Sequence, residues 1–79
     1  MEDHISVKAF GLVAEKIGVN DFQMDNPGNS VNFKHQLFER FPELKALKFT
    51  LAINKKLASE QSEIPNGAEV ALLPPFSGG

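Results

Sequence analysis

The sequence predicts an α+β fold, a mixed sheet packed on one main helix. Three observations lead there. Apolar residues alternate with polar ones near both ends of the chain, they recur at helical spacing through one long central stretch, and clusters of Pro, Gly and Asn separate these segments. An amphipathic helix laid on one face of a sheet is the simplest way to bury both apolar surfaces. Seventy-nine residues, 42% hydrophobic and 23% charged, make one folded domain.

Ile5 to Phe10 alternates, with Ile5, Val7 and Ala9 on one face and Ser6, Lys8 and Phe10 on the other. Phe10 therefore falls on the polar side. Gly11 to Gly18 places Leu12, Val13 and Ile17 at helical spacing and closes on a glycine suited to a left-handed C-cap, which predicts a short helix. Val19 to Asp25 returns to alternation, with Phe22 and Met24 on one face, before the turn cluster Asn26-Pro27-Gly28-Asn29.

Ser30 to Leu47 is the main helix. Ser30 is the expected N-cap, and Phe33, Leu37, Phe41 and Leu44 form an apolar stripe with Phe38 beside it. Pro42 disfavours helical geometry at Phe41, so the helix should end there, with a further turn through Leu47. Phe49, Leu51 and Ile53 alternate in a third strand. Asn54-Lys55-Lys56 is a solvated turn into a short strand around Leu57, and Ile64-Pro65-Asn66-Gly67 is a second turn. Glu69 to Leu73 is the last strand, stopped by Pro74-Pro75, which cannot donate ladder hydrogen bonds.

Composition excludes several functions. Eight Lys+Arg against ten Asp+Glu supply no basic stripe, so no nucleic-acid partner is expected. With no cysteine there is no disulfide, thiolate metal site or thiol nucleophile. His4 and His35 are isolated, and no metal is expected. Met1-Glu2-Asp3-His4 lacks the basic start of a secretory signal, and no apolar run could span a bilayer. A cytoplasmic location is expected.

The chemistry sits at the end, Pro74-Pro75-Phe76-Ser77-Gly78-Gly79. By chance a terminal Gly-Gly arises in roughly half a per cent of chains, so its place just after a strand and a Pro-Pro spacer is informative. Pro74 and Pro75 fix φ and hold the chain extended, away from the body. Gly78 and Gly79 have no Cβ, so they can thread a narrow channel and reach backbone angles closed to other residues. Residues 1–75 are read as the domain and 76–79 as a flexible tail that delivers its carboxylate. An ATP-using partner could adenylate that carboxylate, and the acyl adenylate could then accept sulfur, which is how a chain without cysteine could carry it.

EVALLPPFSGG resembles the C-terminus of the small subunit of molybdopterin synthase, the MoaD family. The signature there is a hydrophobic strand, then Pro-Pro, a variable residue, Ser or Thr, and Gly-Gly. The similarity extends through ISVKAFG, AEKIG and LAINKKL. It implies a ubiquitin-like β-grasp fold and a sulfur carrier that is not a catalyst alone. Gly79 would be adenylated and thiocarboxylated by an E1-like (MoeB-like) adenylyltransferase, with Gly78 giving clearance beside it.

ATP would be used by that partner, with no cofactor bound to this chain. The carrier would then dock on the large (MoaE-like) subunit, in a two-plus-two heterotetramer, and give dithiolene sulfur to cyclic pyranopterin monophosphate. The docking surface implied by the resemblance is Phe10, Leu57 and Leu73, continued by Pro74, Pro75, Phe76 and Ser77. The chain departs from the family at Ala14-Glu15-Lys16, where Arg is common, and at Leu73, where an aromatic is common.

Three alternatives share some of these features. A ThiS-like carrier for thiamin thiazole synthesis usually lacks the Pro-Pro. A ubiquitin-like protein modifier would instead conjugate Gly79 to lysines. A plain interaction module would have an incidental tail.

Overall fold

The computed structural model describes residues 3–58 and 61–74. The elements in order are β1 (His4–Ala9), α1 (Gly11–Ile17), β2 (Asp21–Asp25), α2 (Ser30–Arg40), a 3-10 helix (Pro42–Ala46), β3 (Thr50–Ile53), β4 (Lys56–Leu57) and β5 (Glu69–Leu73). The strands form one five-stranded sheet in the order β2-β1-β5-β3-β4. β1 and β5 run parallel and the other neighbours antiparallel, so the sheet is mixed as expected.

Register turns the alternation into a core. Val7 stands opposite Val70 and Ala9 opposite Leu72, while Leu72 and Val70 face Leu51 and Ile53 on the other side. Met24 and Phe22 extend these rows from β2, opposite Ile5 and Val7. On this face α2 lays Phe33 and Leu37, joined by Leu44, Val13 and Ile17 in one buried cluster. Each fully buried aliphatic or aromatic side chain contributes about 1.5–3 kcal/mol, so this single layer is the main source of stability. Phe22 packs against Phe41 with ring centroids 5.4 Å apart, and the Arg40 guanidinium lies 4.6 Å from the Phe22 centroid, closing that edge with a cation–π contact.

Several local expectations are corrected. The N-cap of α2 is Asn29, whose side chain accepts from the Asn32 amide at 2.8 Å, while Ser30 is the first helical residue. Ser30 is buried and its Oγ accepts from the Ser62 amide at 3.0 Å, so its hydroxyl serves a tertiary contact. The effect of Pro42 is as expected: regular helix ends at Arg40, with Phe41 as the C-cap, and Pro42 opens the 3-10 helix that buries Leu44. The expected strand from Val19 begins only at Asp21, and Val19 is exposed. In α1, Val13 and Ile17 are buried as expected, but Leu12 is 51% exposed, because a seven-residue helix turns only one narrow face to the core.

Two turns follow from residue chemistry. Gly18, at φ 80°, caps α1 with its amide on the Ala14 carbonyl, as the sequence indicated. Asn54 and Lys55 both have positive φ, 51° and 71°, between paired Ile53 and Lys56. A two-residue hairpin loop of this kind matches the twist of its strands, although lysine is a poor residue for the conformation.

Candidate functional site

The helices cover one face of the sheet, and the candidate docking residues lie on the other. Lys8 stands opposite Ala71, Ala71 opposite Ala52, and Ala52 opposite Leu57, one row across four strands. The next row toward the end of β5 holds Leu73, opposite Thr50. Phe10 lies one residue past β1, yet its amide still donates to the Leu72 carbonyl at 3.1 Å, which continues the ladder and seats Phe10 beside Leu73.

Phe10, Leu57 and Leu73 thus line one shallow depression floored by Ala52 and Ala71. Leu57 is 63% exposed and Phe10 46%, while Leu73 is half-buried. Alternation in two strands and one hairpin turn brings together residues far apart in the chain. The small alanines create the hollow, and the larger side chains form its walls. A contiguous exposed apolar surface of this sort is a candidate docking site.

The same depression has a charged side. Lys8 Nζ lies 2.8 Å from Glu69 Oε2, joining β1 to β5, and Lys55 stands nearby on the hairpin turn. The hydrogen bond and the charge of Glu69 raise the Lys8 pKa above its ordinary value. The hydrogen bond from Lys8, helped by its charge and that of Lys55, lowers the Glu69 pKa. Both groups therefore stay ionised across the neutral range, and the pair holds a fixed polar mark beside the apolar wall. Sequence reasoning missed this pair, because only the parallel β1–β5 pairing makes neighbours of these two residues. Lys8 is exposed on the open face, and nothing in its local sequence marks Glu69 as its neighbour.

Pro74 is exposed and follows directly on β5, with its ring against Gly11 at the start of α1. The remaining expected site residues, Pro75, Phe76, Ser77, Gly78 and Gly79, lie outside the described residues. Among the described residues no group of three or more His, Asp or Glu could hold a metal ion, and no helix is long and apolar enough to cross a membrane.

Comparison with known proteins places this architecture. Residues 7–79 match the model of the ThiS family. The chain is 30% identical over 79 residues to the molybdopterin synthase sulfur carrier subunit of Arabidopsis thaliana, covering 95% of this chain and 82% of that protein. Among solved structures, it resembles a putative molybdopterin converting factor subunit 1 from Pyrococcus furiosus with a TM-score of 0.85 at 18% identity, covering 92% of this chain and 98% of the other.

Small archaeal modifier protein 1 from Methanosarcina acetivorans superposes with a TM-score of 0.81 at 19% identity, over 100% of this chain and 99% of that one. A chain from the complex of subunits 1 and 2 of the Helicobacter pylori molybdopterin-converting factor gives a TM-score of 0.71 at 23% identity, over 96% and 99% of the two chains. At these identities the structural likenesses establish the fold, which is the ubiquitin-like β-grasp expected. The family match spans nearly all of the chain and includes the Pro-Pro and Gly-Gly segment, and together with the Arabidopsis relative it shows that this protein belongs to the ThiS family, with the MoaD-type sulfur carriers.

Proposed function

We propose that this protein is the sulfur-donating small subunit of a molybdopterin synthase, with the Gly79 carboxyl as its working group. One observation carries the reading. The strand that forms a wall of the open apolar face, β5 through Leu73, is the same strand that leads directly into Pro-Pro-Phe-Ser-Gly-Gly. A partner seated on Phe10, Leu57 and Leu73 therefore receives the following residues at a fixed starting point.

The chemistry needs no side chain of this protein. A Gly79 carboxylate oxygen attacks the α-phosphorus of ATP on an E1-like adenylyltransferase, and pyrophosphate leaves. A sulfide-equivalent nucleophile then adds to the acyl carbon and displaces AMP, leaving a thiocarboxylate. Once docked on the large subunit, the thiocarboxylate gives its sulfur to cyclic pyranopterin monophosphate, and its acyl carbon regains oxygen from water. The two glycines allow close approach of the acyl carbon, because no Cβ shields it. Catalytic groups come from the partners.

Intact mass spectrometry of the protein from its native cytoplasm tests this reading. The expected form carries sulfur in place of one oxygen, and fragmentation must localise the change to the C-terminal peptide, because oxidation of either methionine gives nearly the same shift. Co-purification with a large synthase subunit distinguishes pterin from thiazole synthesis. Isopeptide bonds from Gly79 to many proteins would make the chain a modifier instead.

A further inference from the structure

Gly11 and Gly18 bracket α1, and both have left-handed backbones, at φ 58° and 80°. An L side chain is strained at either position. Their surroundings differ. A Cβ on Gly18 would meet nothing within 4 Å, whereas a Cβ on Gly11 would stand 3.0 Å from Cγ of Pro74 and 4.0 Å from its Cδ. Turn geometry accounts for Gly18. At Gly11 a second reason is present, and it is the residue at which the chain leaves β5.

Up to Leu73 the path of β5 is set by hydrogen bonds. The Phe10 amide holds the Leu72 carbonyl on one side, and Thr50 pairs with Leu73 on the other. Pro74 has no N–H to continue that ladder, so its position depends on how its ring packs. Gly11 supplies a wall of that packing. A methyl group placed 3.0 Å from Cγ of Pro74 requires that residue to give by a few tenths of an ångström, through its ring pucker or its backbone, so the seat of Pro74 changes.

We infer that Gly11 is a positioning residue, whose missing side chain lets Pro74 lie against the β1–α1 corner and so sets the direction in which the chain leaves the sheet. The inference rests on the reading that the residues after Pro74 are delivered to partner enzymes. A shift at Pro74 changes the point from which the following residues start, and errors near 1 Å at a reacting centre cost up to about 100-fold in rate.

The test compares Gly11→Ala with Gly18→Ala in the full-length chain, reading melting temperature, ATP–pyrophosphate exchange on an E1-like adenylyltransferase, and NMR shifts at Leu73 and Pro74. Both variants should lose stability, because each strains one left-handed residue, and Gly11→Ala should lose more, because its Cβ also presses on Pro74. Gly18→Ala should keep the wild-type kcat, while Gly11→Ala should lose about tenfold in kcat at unchanged KM and shift the Leu73 and Pro74 signals. Gly11→Asn covers the case in which Gly11→Ala folds poorly. Asn tolerates the left-handed region but still carries a Cβ, so stability should recover in part while kcat stays low. Equal kcat in the two Ala variants, or recovery of kcat in Gly11→Asn, would overturn the inference. If wild-type protein supports no exchange, the sulfur-carrier reading fails. The NMR shifts then decide the inference alone, and undisturbed Pro74 signals in Gly11→Ala would refute it.

Discussion

The Phe10 amide donates to the Leu72 carbonyl at 3.1 Å, so Phe10 is tied to β5 although β1 ends at Ala9. The bond belongs to the backbone and survives replacement of the ring. Phe10→Asp should therefore leave the melting temperature nearly unchanged, as for other substitutions of an exposed side chain. It should weaken binding to the large synthase subunit by about 30-fold, or about 2 kcal/mol, because a charge would enter the apolar wall proposed as that partner's seat. Titration calorimetry with that subunit checks this, and unaltered affinity would remove Phe10 from the interface.

The Lys8–Glu69 pair gives the open face a defined pH response. Folding lowers the Glu69 pKa, so its contribution is complete above the ordinary carboxylate value and disappears as pH falls through the lower folded value. Folding raises the Lys8 pKa, so its contribution is complete below the ordinary lysine value and disappears as pH rises through the higher folded value. Both groups are well solvated, so the effect on stability should be small. Comparing Glu69→Gln with the parent in chemical denaturation should show a flat difference from neutral to mildly alkaline pH that narrows in acid and again in strong alkali. A difference that changes around neutrality would mean that another titrating group is in contact with the pair.

Lys55 sits at φ 71° in the second position of the β3–β4 turn, where glycine is the preferred residue after Asn54. Lys55→Gly removes the strain of a left-handed side chain, partly offset by the greater freedom of glycine in the unfolded chain. The expected net gain is roughly 0.5–1 kcal/mol, a rise of about 3–6 °C in Tm for a domain of this size. A fall in Tm would show that the Lys55 charge, which acts on Glu69, outweighs the backbone strain.

Much of this architecture was legible because the elements obey one-dimensional rules. Alternation placed Val7, Leu51, Val70 and Leu72 in the core and Phe10 and Leu73 on the opposite face, and the β-strand register bears this out. Pro42 ended the helix as its ring requires. Less legible were features that depend on which segments meet. Ser30 reads as a cap in isolation, but a partner at Ser62 takes its hydroxyl and Asn29 does the capping. Leu12 fits a helical period, yet α1 is too short to bury it. The Lys8–Glu69 pair and the Gly11–Pro74 contact both depend on β1 and β5 lying side by side, a pairing between the two ends of the sequence that no local window contains.

Removing Gly79 separates the tail from the body. The buried cluster runs from Ile5 to Leu72, and the apolar face ends with Leu73, so nothing in the described core depends on the last residue. A chain ending at Gly78 should keep its Tm and its affinity for the large subunit but lose sulfur transfer, because its carboxyl falls one residue short of the reacting phosphorus or pterin. Gly79→Ala gives the graded case. It keeps the carboxyl at full length and adds one methyl group beside the acyl carbon, so pyrophosphate exchange should fall steeply without vanishing. Wild-type exchange in Gly79→Ala would show that the partner's channel has room for a side chain. A marked loss of Tm on deletion would show that the tail braces the body, and the carboxyl would then no longer be the reason for the segment.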